Sequence, residues 1–390
     1  MIDNDQRIST KNYSNELIPE TPLFDPYEII QVRNEGGMGT LYIVKDPKRN
    51  WLYAVKTPKI WDPDFSIGNQ TQFMAEMEYM IMLPTHPNII QVDFIQWLND
   101  NDEENDRSRR PYMFMEYIDG CDLHQKLANA PSGKLELDEA IGYALQICDG
   151  MSFIHEKGHF LHLDIKPENM LLDQNGILKI ADFGISKTSQ LLSRVTTQQR
   201  KGTYPYMSPE QICGKDVDVW SDIYSFGILF YQILTGAFPY PFRITGEAGA
   251  VNLKQQLLEF HASDYDFHNV FSHQAMGEEI SSEIGTIIGH CLAKHPEKRI
   301  PDFPYLKRWL EKIGGKRPSL ASPPKTKVDL YRKGLNLQLI GKHSEALEYF
   351  NRSLFLAPGN VQLLNDAAVS YLALGMKTEA ESLLNKLPRW

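Results

Sequence analysis

The sequence predicts an α+β chain with a strand-rich beginning, a mainly helical middle and an all-α tail built from a repeated unit. Three observations carry this. Short runs such as Tyr27 to Val32, Leu41 to Val44, Leu52 to Lys56 and Tyr112 to Met115 read as strands, set apart by glycine-rich or charged segments. From Asp138 to Lys157 the apolar residues Ile141, Ala144, Leu145, Ile147, Cys148, Met151 and Ile154 recur at helical spacing, and Asp218 to Thr235 and Asp302 to Lys312 also read as helices. Beyond Lys327, small and apolar positions return with a period of 34.

Composition bounds the function. The 390 residues imply about two domains at ~150 residues each. Hydrophobic residues make up 42%, ample for a packed interior, and 40 basic against 50 acidic side chains give a formal charge of -10. That balance lacks the basic footprint of nucleic-acid or anionic-membrane binding. Cys121, Cys148, Cys213 and Cys291 have no zinc or disulfide spacing and are expected to be reduced thiols. Residues 1–26 are polar and mixed in charge, without the basic start and apolar core of a secretory signal, and read as a flexible arm. The apolar run Ile223 to Leu234 is short and interrupted, against the ~20 residues a bilayer-spanning helix needs. A soluble, cytoplasmic protein is expected.

Taken in order, the first strand enters Asn34-Glu35-Gly36-Gly37-Met38-Gly39, and Leu41 to Val44 returns. Glycine lets a backbone approach phosphates closely and adopt positive φ, and Asn34 tolerates left-handed geometry better than most residues. The strand Leu52 to Lys56 ends in a lysine. A Met-rich helix follows from Gln70 to Leu83, carrying Glu76 and Glu78, and then His86-Pro87-Asn88-Ile89-Ile90. Asn99 to Arg110, acidic then basic, reads as a solvated hairpin tip. The Asp138 helix leads into His162-Leu163-Asp164-Ile165-Lys166-Pro167-Glu168-Asn169, and a hairpin turning at Asn175-Gly176 returns to Asp182-Phe183-Gly184. Loop and hairpin could converge Asp164, Lys166, Asn169 and Asp182. A base for a hydroxyl, oxygen ligands for magnesium and a cation for a migrating phosphoryl group are the equipment of phosphoryl transfer.

These motifs, in this order, resemble the protein kinases. The resemblance implies a bilobal fold with a small β-rich N-lobe and a mainly helical C-lobe over residues 27–313. It implies ATP and Mg2+, with Mn2+ as an alternative, and a protein substrate. Asn34, Gly36, Gly37 and Gly39 would cover the phosphates, and Lys56 would hold the α and β phosphates, paired with Glu76. Leu41, Ala54 and Leu171 would sandwich the adenine, with Met115 at the back of the pocket and Glu116 and Ile118 in the hinge. Asp164 would orient the substrate hydroxyl, Lys166 would stabilise the γ phosphate and Asn169 and Asp182 would hold the metal. In this family lysine two residues after the catalytic aspartate accompanies transfer to serine or threonine. Thr196, Thr197, Thr203 and Glu210 fall in the activation segment, which ends at Ser208-Pro209-Glu210 with Ser where the family has Ala. Asp222 would anchor the catalytic loop, and Arg299 would pair with Glu210. Leu163 replaces the usual arginine before the catalytic aspartate, so activity without loop phosphorylation is expected. Gly-Gly-Met-Gly and His-Pro-Asn-Ile-Ile look most like the bacterial-type serine/threonine kinases. A pseudokinase scaffold and a small-metabolite kinase are the competing readings; the full motif set speaks against the first, and Ser208-Pro209-Glu210 with the Asp222 helix against the second.

Residues 314–326, rich in Gly, Pro and Ser, read as a linker. In 327–390, Gly334 and Ala368, Gly341 and Gly375, Ala346 and Ala380, and Phe350 and Leu384 repeat at the period of 34. This resembles a tetratricopeptide repeat, about two copies with the second short, and implies a protein partner. Fewer than three repeats bury no continuous core alone, so the tail is expected to dock on the helical lobe, beside the Asp302 helix.

Overall fold

The computed structural model describes residues 27–35, 39–47, 50–58, 77, 80–81, 83–99, 109–158, 160–182, 204–242, 250–263, 267, 282–314, 330–356 and 361–386. Five antiparallel strands come first: β1 (Glu28–Glu35), β2 (Gly39–Asp46), β3 (Trp51–Thr57), β4 (Val92–Asn99) and β5 (Arg109–Glu116), in the spatial order β1-β2-β3-β5-β4. Alternation gives this sheet two apolar faces. Val44, Tyr53, Val55, Tyr112 and Phe114 form one core with Tyr27 and Phe94, the Phe94 and Phe114 rings stacked at 4.3 Å between centroids. The opposite face buries Val92, Ile95, Met113 and Met115 with the helical residues Met77, Met80 and Ile81. Asn99 pairs with Arg109, so the charged insertion does join two hairpin strands; its tip lies outside the described residues.

The second lobe is mainly helical. A three-stranded sheet of β6 (Gly120–Asp122), β7 (Met170–Asp173) and β8 (Leu178–Ile180) sits beside α1 (Leu123–Asn129) and α2 (Leu137–Phe153). Then come α3 (Pro209–Ile212), α4 (Val219–Thr235), α5 (Ala250–Ala262), α6 (Ser282–Cys291) and α7 (Phe303–Ile313). Asp218 and Asp302 cap α4 and α7 by accepting from Trp220 N and Tyr305 N, which is why these helices start one residue later than their apolar pattern suggests. The lobes are stitched at Asn88. Its Nδ2 donates to Gln146 Oε1 (3.0 Å) and Leu178 O (2.8 Å), while Ile90 N donates to Ile180 O (3.0 Å) and Ile180 N to Asn88 O (2.9 Å). No helix among the described residues is long and apolar enough to cross a membrane.

The tail forms α8 (Leu330–Leu339), α9 (His343–Leu356), α10 (Val361–Ala373) and α11 (Lys377–Leu384). The 34-residue spacing has a geometric counterpart: Gly341 and Gly375 both turn the chain in left-handed backbone, at φ 78° and 76°, and Ala346 and Ala380 are both fully buried. The expected docking on the helical lobe is not what is found. The tail instead lies against the small lobe, where Asn336 on α8 bonds the backbone of Asp93 and Ile95 in β4, and Lys333 Nζ donates to Leu83 O. Nearness along the chain was the wrong guide. A sheet edge presents backbone groups that need partners, and a helix surface does not.

Candidate active site

The loop before β7 is held from below. Asp222, fully buried on α4, accepts from Leu163 N (2.8 Å) and His162 N (2.9 Å) and faces His155 Nε2 (2.9 Å). Under that anchor Leu163 adopts φ 58° and Asp182 φ 54°. Left-handed backbone is costly for residues with a Cβ and persists where the surroundings enforce it, as at functional sites. His162 is fully buried; its Nδ1 accepts from Asp164 N (3.2 Å) and its Nε2 faces Ala181 O (3.2 Å). Burial pushes its pKa down against the nearby Asp222 and Asp164 carboxylates. A neutral ring with its proton on Nε2 satisfies both contacts.

The polar groups expected to converge do so. Asp164 Oδ2 accepts from Lys166 Nζ (2.9 Å) and Asn169 Nδ2 (3.0 Å), and the same amide donates to Asp164 O (2.8 Å). Asp173 Oδ1 accepts from Asn175 N and Ile177 N, both at 2.8 Å, and closes the turn so that β8 returns along β7. Ala181 N then donates to Asn169 O (2.9 Å), which sets Asp182 beside Asn169. From the small lobe Lys56 Nζ reaches Asp182 Oδ1 at 2.8 Å. Burial raises the Asp182 pKa, but Lys56, and after it Lys166 and His162, pull it below the ordinary carboxylate value. An ionised carboxylate beside an amide carbonyl is a hard-oxygen donor set, and it fits Mg2+ or Mn2+ better than a soft metal.

The remaining expected residues divide by position. Leu41 on β2, Ala54 on β3, Leu171 on β7 and Ile118 are partly buried against the main core, and Met115 at the end of β5 is buried. The Glu116 carboxylate is committed elsewhere, to Lys179 Nζ and Gln91 N, both at 2.8 Å. Asn34 corrects an expectation: it lies in extended β1 opposite Thr40, not in left-handed backbone. Gly39 is also a strand residue, and a Cβ there would stand 2.5 Å from Thr57 O. Its lack of a side chain thus serves strand packing in addition to any ligand. Gly36, Gly37, Glu76, Thr196, Thr197 and Thr203 lie outside the described residues. Glu210 is buried and clamped by Arg299 through Nη1–Oε1 (2.7 Å) and Nη2–Oε2 (2.9 Å), with Ser221 Oγ donating at 2.6 Å. Ser208, where the family has Ala, caps α3 in a reciprocal capping box with Gln211, whose Nε2 also donates to Leu163 O (3.1 Å). The sequence reading missed His155, Gln211 and the interlobe role of Asn88; each acts mainly on distant or backbone groups, for which no local pattern exists.

A small sheet that lends a lysine to a loop-borne carboxylate, mounted on a helical lobe by a buried aspartate, defines the two-lobed phosphotransferase class of fold. Residues 27–307 match the protein kinase domain, and the chain belongs to that family. It is similar to the serine/threonine-protein kinase PknB of Mycobacterium tuberculosis, 28% identical over 318 residues that make up 80% of this chain and 46% of the relative. It also resembles a probable serine/threonine-protein kinase of Clostridium acetobutylicum, 35% identical over 279 residues, 72% of this chain and 38% of that one. The probable PknB of Lactococcus lactis is 34% identical over 220 residues, 55% and 32% of the two chains. The chain thus spans less than half the length of these curated relatives.

Proposed function

We propose that the chain is an ATP- and magnesium-dependent serine/threonine protein kinase that moves the γ-phosphoryl group to hydroxyls of protein substrates. The convergence of Asp164, Lys166 and Asn169 on one side with the Asp182–Lys56 pair on the other carries this reading. Asp164 orients the attacking hydroxyl and takes up its proton as the new O–P bond forms and the bond from the γ phosphorus to the β–γ bridging oxygen breaks, with ADP as the leaving group. Lys166, already bonded to Asp164, is placed to neutralise charge on the transferred group, and Lys56 positions the α and β phosphates. Asn169 and Asp182 would hold the metal ion, which supplies charge neutralisation across the phosphate oxygens. Leu41, Ala54, Leu171, Met115 and Ile118 form the apolar surround for adenine. The names of the relatives support serine and threonine as acceptors, as does Lys166. The tail would act as tetratricopeptide repeats that bind a protein partner.

The test is labelled-phosphate transfer to a generic protein by the full chain and by Asp164→Asn and Lys56→Met. Both variants should stay folded and lose roughly 10²-fold or more. Wild-type rates in both would overturn the roles given to Asp164 and Lys56, and nucleotide binding without any transfer by the wild type would replace this reading with that of a nucleotide-binding scaffold.

A further inference from the structure

β4 is the outer strand of the five-stranded sheet. An edge strand carries backbone groups with no strand partner, and here the register slips between Val92 and Phe94, leaving Asp93 in a bulge. The tail closes this edge with a side chain. Asn336, buried on α8, accepts from Ile95 N through Oδ1 (3.3 Å) and donates through Nδ2 to Asp93 O (2.8 Å). Its amide thereby substitutes for one residue of a sixth strand and fixes the bulge.

The rung that Asn336 ends is not an arbitrary one. Ile95 is opposite Met113, and Met113 is opposite Lys56, so Asn336, Ile95, Met113 and Lys56 follow one another across the sheet. Two strand spacings of about 4.8 Å separate Ile95 from Lys56. The next rung but one, Val92–Met115–Ala54, carries the back of the nucleotide pocket and flanks the bulge.

A second contact reaches the helix that packs on this face. Lys333, also buried on α8, donates from Nζ to Leu83 O just beyond the helical residues Met77, Met80 and Ile81, and lies over the Tyr349 ring of α9 at 5.4 Å. Burial pushes its pKa down to about 8. Holding an ammonium there against desolvation is uneconomical for a mere linker contact and marks a specific, built interface.

We propose that Asn336 and Lys333 are positioning residues for phosphoryl transfer: the docked tail fixes β4 and the end of the preceding helix, and through the shared rung it sets Lys56 for nucleotide. This rests on the kinase reading above. Ile95 N is turned outward to Asn336, so Ile95 and Met113 face each other as a closely spaced pair without a backbone bond. The coupling runs through their packing and the register of β4 on β5, and perturbing it changes affinity at the far end rather than the fold. A partner that lifted α8 off β4 would weaken nucleotide binding without touching the site.

The test uses the full chain with Asn336→Leu, which keeps the branched shape and removes both bonds, and Lys333→Met beside Lys333→Arg. Hydrogen exchange is followed at Ile95, Met113 and Lys56, direct binding with a nonhydrolysable ATP analogue and Mg2+, and transfer as separate KM values for ATP and for protein substrate. The expected result is faster exchange along the whole rung and affinity for the analogue, with KM for ATP, worse by roughly threefold to tenfold. KM for protein substrate should stay unchanged, and Lys333→Arg should lose less than Lys333→Met. Faster exchange confined to Ile95 with unchanged analogue affinity overturns the proposal and leaves an ordinary packing contact. A fall in kcat alone, with both KM values unchanged, also overturns it, because lost fold lowers the active fraction only. If the wild type binds the analogue but transfers nothing, the kinase reading has failed and binding still decides the positioning role. If it binds no analogue, exchange at Met113 and Lys56 decides it.

Discussion

Replacing Asp222 with asparagine should damage stability and activity together, and the size of both effects follows from the bonds it makes. The carboxylate meets Leu163 N, His162 N and His155 Nε2 at 2.8–2.9 Å inside a site closed to water. Asparagine keeps the volume but offers one acceptor oxygen, so one of the two backbone N–H groups loses its acceptor and faces an amide N–H instead. A buried donor without an acceptor costs about 1–3 kcal/mol, and the left-handed turn at Leu163, which stores ~1–2 kcal/mol in the wild type as well, is then free to relax and shift the loop. Asp222→Asn should therefore lose roughly 1–3 kcal/mol, a large share of the ~5–15 kcal/mol typical of a domain. Because the released strain lies one residue before Asp164, transfer should fall by ~10²-fold, the effect of about 1 Å of misplacement. Urea unfolding gives the first quantity, and transfer at saturating ATP under native conditions gives the second. A midpoint change worth under ~0.5 kcal/mol, the scale of a neutral surface substitution, would refute the reasoning. So would transfer within twofold of wild type.

Arg299→Met should cost roughly 3–5 kcal/mol because it leaves the buried Glu210 carboxylate uncompensated, and adding Glu210→Gln should recover part of that in a double-mutant cycle of denaturation midpoints. His261, half-enclosed by Tyr224, Tyr240 and Phe260, has a pKa pushed down by burial to about 4 from 6.5. The unfolded chain then binds a proton that the folded chain refuses, so this contribution is whole above pH 6.5 and is lost as pH falls toward 4, by roughly 3 kcal/mol. The slope of denaturation midpoint against pH in that window should flatten in His261→Phe. Gly341→Ala and Gly375→Ala should each destabilise the tail by ~1–2 kcal/mol from backbone strain alone, since a Cβ at either position meets nothing within 4 Å. Unequal costs, read by thermal unfolding, would show that the two turns are not equivalent.

The sequence by itself determined what depends on neighbours along the chain. Alternation marked the strands, 3.6-residue spacing marked α2, and the Asn175-Gly176 turn implied that Asp182 returns to Asn169, because a hairpin of fixed length leaves little choice. The polar set Asp164, Lys166, Asn169, Asp182 and Lys56 was legible for the same reason: their chemistry is in their side chains and their order is in the motif. Only the tertiary structure decided what those groups rest on. Asp222 holds backbone amides some 60 positions away, and Asn336 holds others more than 240 positions away. A backbone N–H has the same chemistry in every residue that carries one, so nothing in Leu163 or Ile95 announces that it needs an acceptor. The resemblance named Asp222 as an anchor without showing which bonds it makes. Nothing named Asn336, and chain proximity pointed the tail to the wrong lobe. Linker length limits how far a tail can reach, but where it settles depends on which surface still has hydrogen-bonding groups to satisfy. That surface, the outer edge of β4, exists only once the sheet has formed.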